Sequence, residues 1–392
     1  MTPRSVASAN PAGKRVFVRV DFNVPLDGRT ITDDTRIRAA LPTIELLRSL
    51  GARVVLASHL GRPKGTWNEQ YSMAPVAVRL AELIGSDVRT ISAVSGPEAE
   101  AAAAELGDGD LLLLENLRFD PREEKNDPAF AEELARLADI FVNDAFGAAH
   151  RAHASTAGIA AFLPAYAGLL MLRETEALGR VVNAPDRPFI AILGGAKVSD
   201  KLAVIDNLLT KVDALIIGGG MANTLLLAQG VEIGASLAEP DLLERAGGIL
   251  AEANRLGVRI VLPSDAIVSD SIDGVGTAVP IDRIRPNQAI FDIGPESAHA
   301  FSDVILTART IFWNGPMGVF EKPAFADGTK LVAAAVANAQ GFSVVGGGDS
   351  VAAIEQLGFA DQIDHISTGG GASLEYIEGR ILPGIAAIPE AE

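Results

Sequence analysis

The sequence contains no cysteine, which excludes disulfides, thiol catalysis and cysteine-ligated zinc or iron–sulfur centres. A thiol-free chain fits a reducing cytoplasm, and a cytoplasmic location is expected. No apolar run reaches the ~18–20 residues that a membrane span needs. The opening stretch, Met1 to Arg15, is polar. It has no apolar segment of the kind a secretory signal carries, so export is not expected. Basic residues are the minority: 33 Lys and Arg against 50 Asp and Glu give a net charge of −17. A general nucleic-acid binder would want a basic face, so this balance argues against that class. It leaves room for small anionic ligands. Charges beyond a Debye length of ~8 Å are largely screened, and a local arginine cluster outweighs a distant acidic surface. Two phosphate-binding fingerprints are also missing: no segment reads G-x-G-x-x-G and none reads G-x-x-x-x-G-K-[ST].

What is present is a long α/β pattern. The chain has 392 residues, and single cores stop growing at roughly 250–300 residues, so two domains are expected. Hydrophobic residues make up 48% of it, enough for two large cores. Short apolar runs read as strands at Val16–Val20, Val54–Ala57, Leu111–Leu114 and Ile140–Asn143 in the first half. Phe189–Leu193, Ala214–Ile217, Arg259–Leu262, Ile311–Trp313 and Ser343–Val345 read as strands in the second. They are continuous rather than alternating, as parallel strands buried on both faces are. Helical stretches such as Pro97–Leu106, Pro128–Ala138 and Asp241–Leu256 lie between them. The rhythm predicts two doubly wound parallel-sheet, Rossmann-like α/β domains joined by a hinge helix. Tyr166–Val182 reads as that helix, and the breaker segment Asn183–Pro188 follows it. The expected organisation is 1–168 for the first domain, 169–188 for helix and hinge, and 189–375 for the second domain.

Ligands of such sheets bind beyond the carboxyl ends of the strands, and the unusual residues collect there. Three strands of the second half run into glycines: Gly194-Gly195-Ala196-Lys197, Gly218-Gly219-Gly220-Met221 and Gly346-Gly347-Gly348-Asp349-Ser350. A fourth cluster is Gly369-Gly370-Gly371. One such cluster is equally well explained by a tight turn. Several in one domain point to a phosphate or nucleotide site, because glycine lets backbone approach a ligand and a helix start attracts an anion. Lys197 and Lys201 are spaced to share one helical face just after the first turn, where an anion would offset their charge. Asp349 follows its glycines at a helix start, where it is either an N-cap or a Mg²⁺ ligand.

The first half gathers arginines at strand ends instead. Arg19 precedes Asp21 and Asn23, His59 precedes Arg62, and Arg118 follows the Leu111–Leu114 strand. His150 and Arg151 follow Ile140–Asn143, and Arg36 lies early in a helix. Guanidinium forks grip carboxylate and phosphate bidentately. One half thus offers an arginine pocket and the other a glycine-lined nucleotide site. No Ser–His–Asp arrangement stands out. None is needed where the nucleophile is already an anion, as in phosphoryl transfer between a carboxylate and a nucleotide phosphate.

The residues carry a resemblance over essentially the whole chain. Its segments are Val18–Pro25, Ser58–Pro63, Leu114–Phe119 and His150–His153, then Gly194–Val198, Gly218–Met221, Trp313–Glu321, Gly346–Asp349 and Ser367–Ser373. In sequence and order they resemble the phosphoglycerate kinase family. The resemblance implies a cytoplasmic, monomeric glycolytic kinase. It would convert 1,3-bisphosphoglycerate and ADP reversibly to 3-phosphoglycerate and ATP with Mg²⁺, by in-line transfer after hinge bending around Tyr166–Pro188. It implies that Asp21, Asn23 and Arg36 hold the glycerate and that His59, Arg62, Arg118 and Arg151 hold the phosphate that stays. Arg19 and His150 would support them. Lys197 and Lys201 would meet nucleotide phosphates and the group in flight, with Arg36 and Lys197 clamping it and Gly348 and Gly371 also acting there. Gly195, Gly219, Gly294, Asn314, Gly347, Gly348 and Ser350 would adjoin the nucleotide, Glu321 its ribose, and Asp349 would bind Mg²⁺. The tail, 376–392, would pack back on the first domain. Two departures are visible: Ser350 replaces a usual threonine, and Ile290-Phe291 replaces smaller or aliphatic residues near the base.

Two other classes compete. A Rossmann dehydrogenase would share the sheets, but the missing G-x-G-x-x-G and the arginine-rich partner domain argue against it. A non-enzymatic hinged binding protein for phosphorylated metabolites would have no use for Lys197, Asp349 and Glu321 together.

Overall fold

The computed structural model describes Thr2–Ala391. The chain divides into two compact units, one running up to Glu176 and resuming at Ile381, the other spanning Ala177–Arg380.

The first unit contains β1 (Arg15–Arg19), β2 (Leu26–Asp27), β3 (Thr30–Ile31), β4 (Arg53–Ala57), β5 (Arg89–Thr90), β6 (Leu111–Leu113), β7 (Ile140–Asn143) and β8 (Ala165–Ala167). Helices α1 (Thr35–Ser49), α2 (Ala74–Ile84), α3 (Pro97–Ala104) and α4 (Pro128–Ala135) accompany them. Six strands form one sheet in the order β5-β6-β4-β1-β7-β8, with every pair parallel. β2 and β3 pair separately as a hairpin. Val16, Phe17, Val18 and the run Val54–Ala57 are all buried, as strands covered on both faces must be. Ile37 and Ile44 of α1 and Leu80 of α2 pack on Val16, Val18 and Leu56 to make one of these faces. The chain extends from β1 first through β4 and later through β7, so strand order reverses at β1. Arg19, the last residue of β1, pairs with Ala57 on one side and Asn143 on the other. The loops leaving these three strands therefore start from one line.

Helix α5 (Leu169–Asn183) carries the chain from the first unit into the second. It begins later than the apolar pattern suggests, because Tyr166 lies in β8, paired with β7. Asp144, just past β7, fixes the start. Its Oδ1 accepts from the N–H groups of Leu170 at 2.9 Å and Met171 at 3.2 Å, and Thr43 Oγ1 accepts from Leu169 N–H at 2.8 Å. Burial pushes the Asp144 carboxyl up to about 7, against the pull of Thr43 and the helix amides.

The second unit holds β9 (Phe189–Leu193), β10 (Ala214–Ile217), β11 (Arg259–Val261), β12 (Asp265–Ser269), β13 (Thr277–Pro280), β14 (Ala289–Ile293), β15 (Thr310–Asn314), β16 (Phe342–Gly346) and β17 (His365–Ile366). Its helices are α6 (Leu202–Leu209), α7 (Gly219–Ala228), α8 (Leu243–Leu256), α9 (Pro295–Ile305), α10 (Asp327–Asn338), α11 (Gly348–Gln356) and α12 (Gly371–Ile377). The short α13 (Pro383–Ala386) lies in the segment that belongs to the first unit. The main sheet is again six-stranded, β11-β10-β9-β15-β16-β17, and parallel throughout. Order reverses between β9 and β15. Leu193, Ile217, Asn314 and Gly346 stand in one register row, so the glycine clusters all begin at the same edge. β12, β13 and β14 make a separate antiparallel sheet that the strand pattern above did not include; β12 is mostly buried, β14 only at Asp292 and Ile293, and β13 nowhere. Among the described residues no helix is long and apolar enough to cross a membrane.

The chain has 2 tryptophans, and each unit holds one. Trp67 is 65% exposed, whereas Trp313 is fully buried in the core of the second unit. A Trp67→Phe variant is expected to keep a blue, quencher-resistant emission that moves red only as the second unit unfolds. In that background Phe301→Ala empties a fully buried core site. Urea titration followed by the emission should show a loss of about 3–5 kcal/mol.

Candidate functional site

In the first unit the strand ends assemble a cationic cluster around Arg19. Its side chain is buried. Nε donates to Ser155 Oγ at 2.8 Å, one Nη donates to the Val20 carbonyl, and the other lies 3.1 Å from His59 Nδ1. Asp21 accepts from Arg36 at 2.6 Å and stands 3.9 Å from His59. Asn23 fastens the next loop through Oδ1, which accepts from Gly61 N–H at 2.8 Å. Arg118 donates to the Gly61 carbonyl at 2.9 Å, and its Nε stands 3.1 Å from the Glu124 carboxylate. Arg151 Nε donates to His150 Nε2 at 3.1 Å. Arg62 is exposed on the loop after β4 and makes no bond to this cluster among the described residues.

Burial, reinforced by Arg19, Arg118 and Arg36, holds the His59 pKa well below its ordinary value, so the ring is neutral at pH 7. His153 is pushed down to about 4 by burial and by Arg19. Burial also lowers Arg19 and Arg118, although a guanidinium stays charged in proteins. The cluster therefore combines fixed cations with the neutral imidazoles of His59 and His153, suited to an anion with several oxygens.

In the second unit a cleft of 600 Å³ opens at the carboxyl edge of the sheet, with Gly195, Gly219 and Gly220 on one side and Leu237, Ile290 and Phe291 among its apolar walls. That volume falls within the range of about 300–1,000 Å³ typical of small-molecule sites. Phe291 is backed by Phe325, ring centroids 4.9 Å apart. Glu321 and Asp349, both exposed, add carboxylates to the lining. Close backbone approach explains two of the glycines. A Cβ on Gly194 would strike the Pro316 carbonyl oxygen, and one on Gly219 would lie 2.6 Å from the Gly195 oxygen with φ at +66°.

Beneath the cleft lies Lys201. Its ammonium donates to the Gly194 carbonyl at 2.7 Å and the Asn314 carbonyl at 2.9 Å, tying the end of β15 to the residue after β9. Burial pushes its pKa down to about 8, opposed by Asp349 and Asp200. Asn314 is also buried, its Nδ2 donating to the Gly346 carbonyl at 2.7 Å. Ser350 Oγ accepts from Gly315 N–H at 2.5 Å.

The expected shared helical face of Lys197 and Lys201 does not exist. Residues Ser199–Lys201 form a 3₁₀ turn and α6 begins only at Leu202. The two lysines part company: Lys201 is buried and Lys197 exposed. Gly195, Gly219, Glu321 and Asp349 line the cleft, whereas Lys201, Asn314, Gly347 and Ser350 support its floor or rim. Gly348 and Gly371 open α11 and α12 without lining it. Gly294 does not line it either; a Cβ there would collide with the Asp265 carboxylate.

Several functional neighbours gave little or no sequence signal. Leu226, Leu237 and Asn223 line the cleft yet read as ordinary helix and loop residues. Asp292, in the cleft wall, is buried and accepts from Gly328 N–H at 2.8 Å. Burial pushes it up to about 7. In the first unit Glu123 and Ser155 are fully buried, although Glu123 belongs to a charged run that reads as solvated surface.

Comparison with known proteins agrees with this arrangement. The sequence model of the phosphoglycerate kinase family matches residues 6–380. The chain is 57% identical to phosphoglycerate kinase of Roseiflexus sp. (strain RS-1), over 100% of both chains. It is 58% identical to that of Moorella thermoacetica, over 96% of each. Among solved structures, phosphoglycerate kinase from Coxiella burnetii superposes with a TM-score of 0.92 at 43% identity, covering 98% of both chains. The enzyme from Pyrococcus horikoshii OT3 gives 0.85 at 36% identity, again over 98% of each chain. With the match spanning both units and both strand-end sites, the chain belongs to the phosphoglycerate kinase family.

Proposed function

We propose that the phosphoglycerate kinase activity of this chain transfers a phosphoryl group reversibly from 1,3-bisphosphoglycerate to ADP, with the glycerate held by the first unit and the nucleotide by the second. One observation carries this reading: each sheet presents a preformed polar site at the point where its strand order reverses, arginine-rich in one unit and glycine-lined in the other. In the direction of ATP synthesis the bond from the acyl oxygen to phosphorus breaks, and one forms to an oxygen of the ADP terminal phosphate. The departing group is a carboxylate and the attacking group already an anion, so no general base is required.

Asp21, Asn23 and Arg36 would orient the glycerate, while His59, Arg62, Arg118 and Arg151 would hold the phosphate that stays. Arg36 uses one N–H on Asp21 and has others left for the transferring group. Lys197, exposed, would meet that group from the nucleotide side, with amide N–H groups at the starts of α11 and α12. Ligands carried by different units must be brought together for reaction, and α5 is the covalent link across which such a movement would act. Excluding water at that step protects an acyl phosphate from hydrolysis.

The site also suits Mg²⁺, which takes one or two carboxylates and completes its shell with phosphate and water oxygens. Asp349 fits: it lies in the first turn of α11, lines the cleft, and makes no hydrogen bond or ion pair among the described residues. Mg²⁺ bound there would neutralise charge on the nucleotide phosphates.

The direct test is ATP formation by the purified protein from 1,3-bisphosphoglycerate and ADP, with and without Mg²⁺. Magnesium-dependent turnover is expected, and Lys197→Ala should lower kcat by ~10²–10³. A folded protein without turnover, or an active Lys197→Ala, would contradict the assignment.

Lys201 makes nucleotide binding pH-dependent. Phosphates favour its ammonium, so binding raises a pKa that stands at about 8 in the free protein. Above that pH the site must take up a proton to bind. ADP affinity should therefore fall as pH rises through 8. Calorimetry in buffers of different ionisation enthalpy should record proton uptake there; a pH-independent affinity without uptake would contradict it.

A further inference from the structure

The first unit contains a buried acid that no ligand-binding role uses. Glu123 lies in the turn after Pro121, between two charged neighbours that face elsewhere. Arg122 pairs with Asp120 and Glu133, and Glu124 reaches the Arg118 guanidinium from a half-exposed position. Glu123 instead turns inward and is completely buried. Its Oε2 accepts from Ser155 N–H at 3.0 Å and its Oε1 from the Ser155 hydroxyl at 2.5 Å. Its backbone carbonyl accepts from Ala154 N–H at 3.0 Å. One residue thus fastens the loop that carries His150 and Arg151.

The donor and acceptor roles follow from one fixed point, the guanidinium of Arg19, which can only donate. Both carboxylate oxygens of Glu123 accept from Ser155; burial raises its pKa, while Arg19 and the two Ser155 bonds pull toward the ionised form. The Ser155 hydroxyl spends its proton on Glu123, so its lone pairs face Arg19 Nε at 2.8 Å. A guanidinium has no acceptor. At the far end of Arg19, His59 Nδ1 must therefore be the accepting nitrogen at 3.1 Å, and the ring proton sits on Nε2. A buried Arg19 also needs a buried counter-charge, and Glu123 stands one hydroxyl away.

We infer that Glu123 is a positioning residue of the anion site, acting through Ser155 to aim Arg19 and to fix His59 as its Nε2–H tautomer. The inference rests on the reading of this cluster as the phosphoglycerate site. A neutral imidazole with a fixed outward proton is a directional donor to a phosphate oxygen. An imidazole free to exchange tautomers presents that donor only part of the time. Breaking the link leaves Arg19 Nε without its partner, so that only the Val20 carbonyl and His59 still orient the guanidinium. The loss of a charge-assisted hydrogen bond is worth roughly ten- to hundredfold in an equilibrium constant.

The test is nitrogen-15 NMR of the 5 histidines combined with steady-state kinetics of the whole protein. The wild type is expected to show His59 as the Nε2–H tautomer, with a signal that shifts on adding 3-phosphoglycerate. Ser155→Ala should mix the His59 tautomers and raise the KM for 3-phosphoglycerate by at least ~10-fold, with the KM for ATP unchanged. Should Ser155→Ala fail to fold, Glu123→Gln is read in its place, with the same expectations. A role confined to structure would lower the Tm while leaving tautomer and KM as in the wild type, and that result overturns the inference. A wild-type His59 signal that 3-phosphoglycerate does not move overturns instead the reading of the cluster as the phosphoglycerate site.

Discussion

A buried cation stands at the carboxyl edge of each parallel sheet, and the geometry of both sites depends on it. In the second unit the Lys201 ammonium joins the Gly194 and Asn314 carbonyls where strand order reverses between β9 and β15. Taking an ammonium out of water is costly, and the depression of its pKa to about 8 is the trace of that cost. In return, two strand ends already joined by the Gly194 N–H to the Asn314 carbonyl at 3.0 Å are held at a fixed spacing. The glycine loops start from that edge. In the first unit Arg19 occupies the matching place, at the end of β1 between Ala57 and Asn143. Its bonds to Val20, Ser155 and His59 draw three loops to one point. Both sites are in this way polar and organised before a ligand arrives, which is what electrostatic stabilisation of a charged transition state requires.

The proposed division of labour between the units follows from the chemistry of the proposed ligands. A small, multiply charged acid is gripped by forked donors, and arginines outnumber lysines in the first cluster. A nucleotide presents an apolar base and a polar phosphate chain, and the cleft answers with walls such as Leu237 and Phe291 and with bare backbone near Gly195 and Gly219. The acidic balance of the chain, −17 overall, does not oppose either anion. Within about 8 Å, the Debye length at physiological salt, a ligand meets the local cluster rather than the distant surface.

Much of this was legible in the sequence because it depends on local pattern. Continuous apolar runs announced parallel strands, Phe189–Leu193 matching β9 residue for residue and others, such as Val16–Val20 and Ile311–Trp313, differing by a residue at their ends, and the glycines and arginines lay where strand ends had to be. The unread parts depend on tertiary context. β12–β14 face solvent on part of their length, and their apolar runs, Ala266–Val268 and Ala289–Phe291, are only three residues long. Tyr166 has the composition of a helix entrance, yet pairing with β7 claims it for a strand. Lys201 and Lys197 look alike in sequence, and only burial shows that one braces the fold while the other stays exposed. Glu123 sits among charged residues, and nothing local reveals that it turns inward.

The central claim is that each unit builds its own anion site around its own buried cation. Calorimetric titration of Arg19→Met and Lys201→Met with 3-phosphoglycerate and with magnesium-bound ADP tests it most directly. Arg19→Met should bind 3-phosphoglycerate at least ~10-fold more weakly and keep the wild-type affinity for ADP; Lys201→Met should show the reverse. Folded variants that lose both ligands together, or neither, would contradict the account.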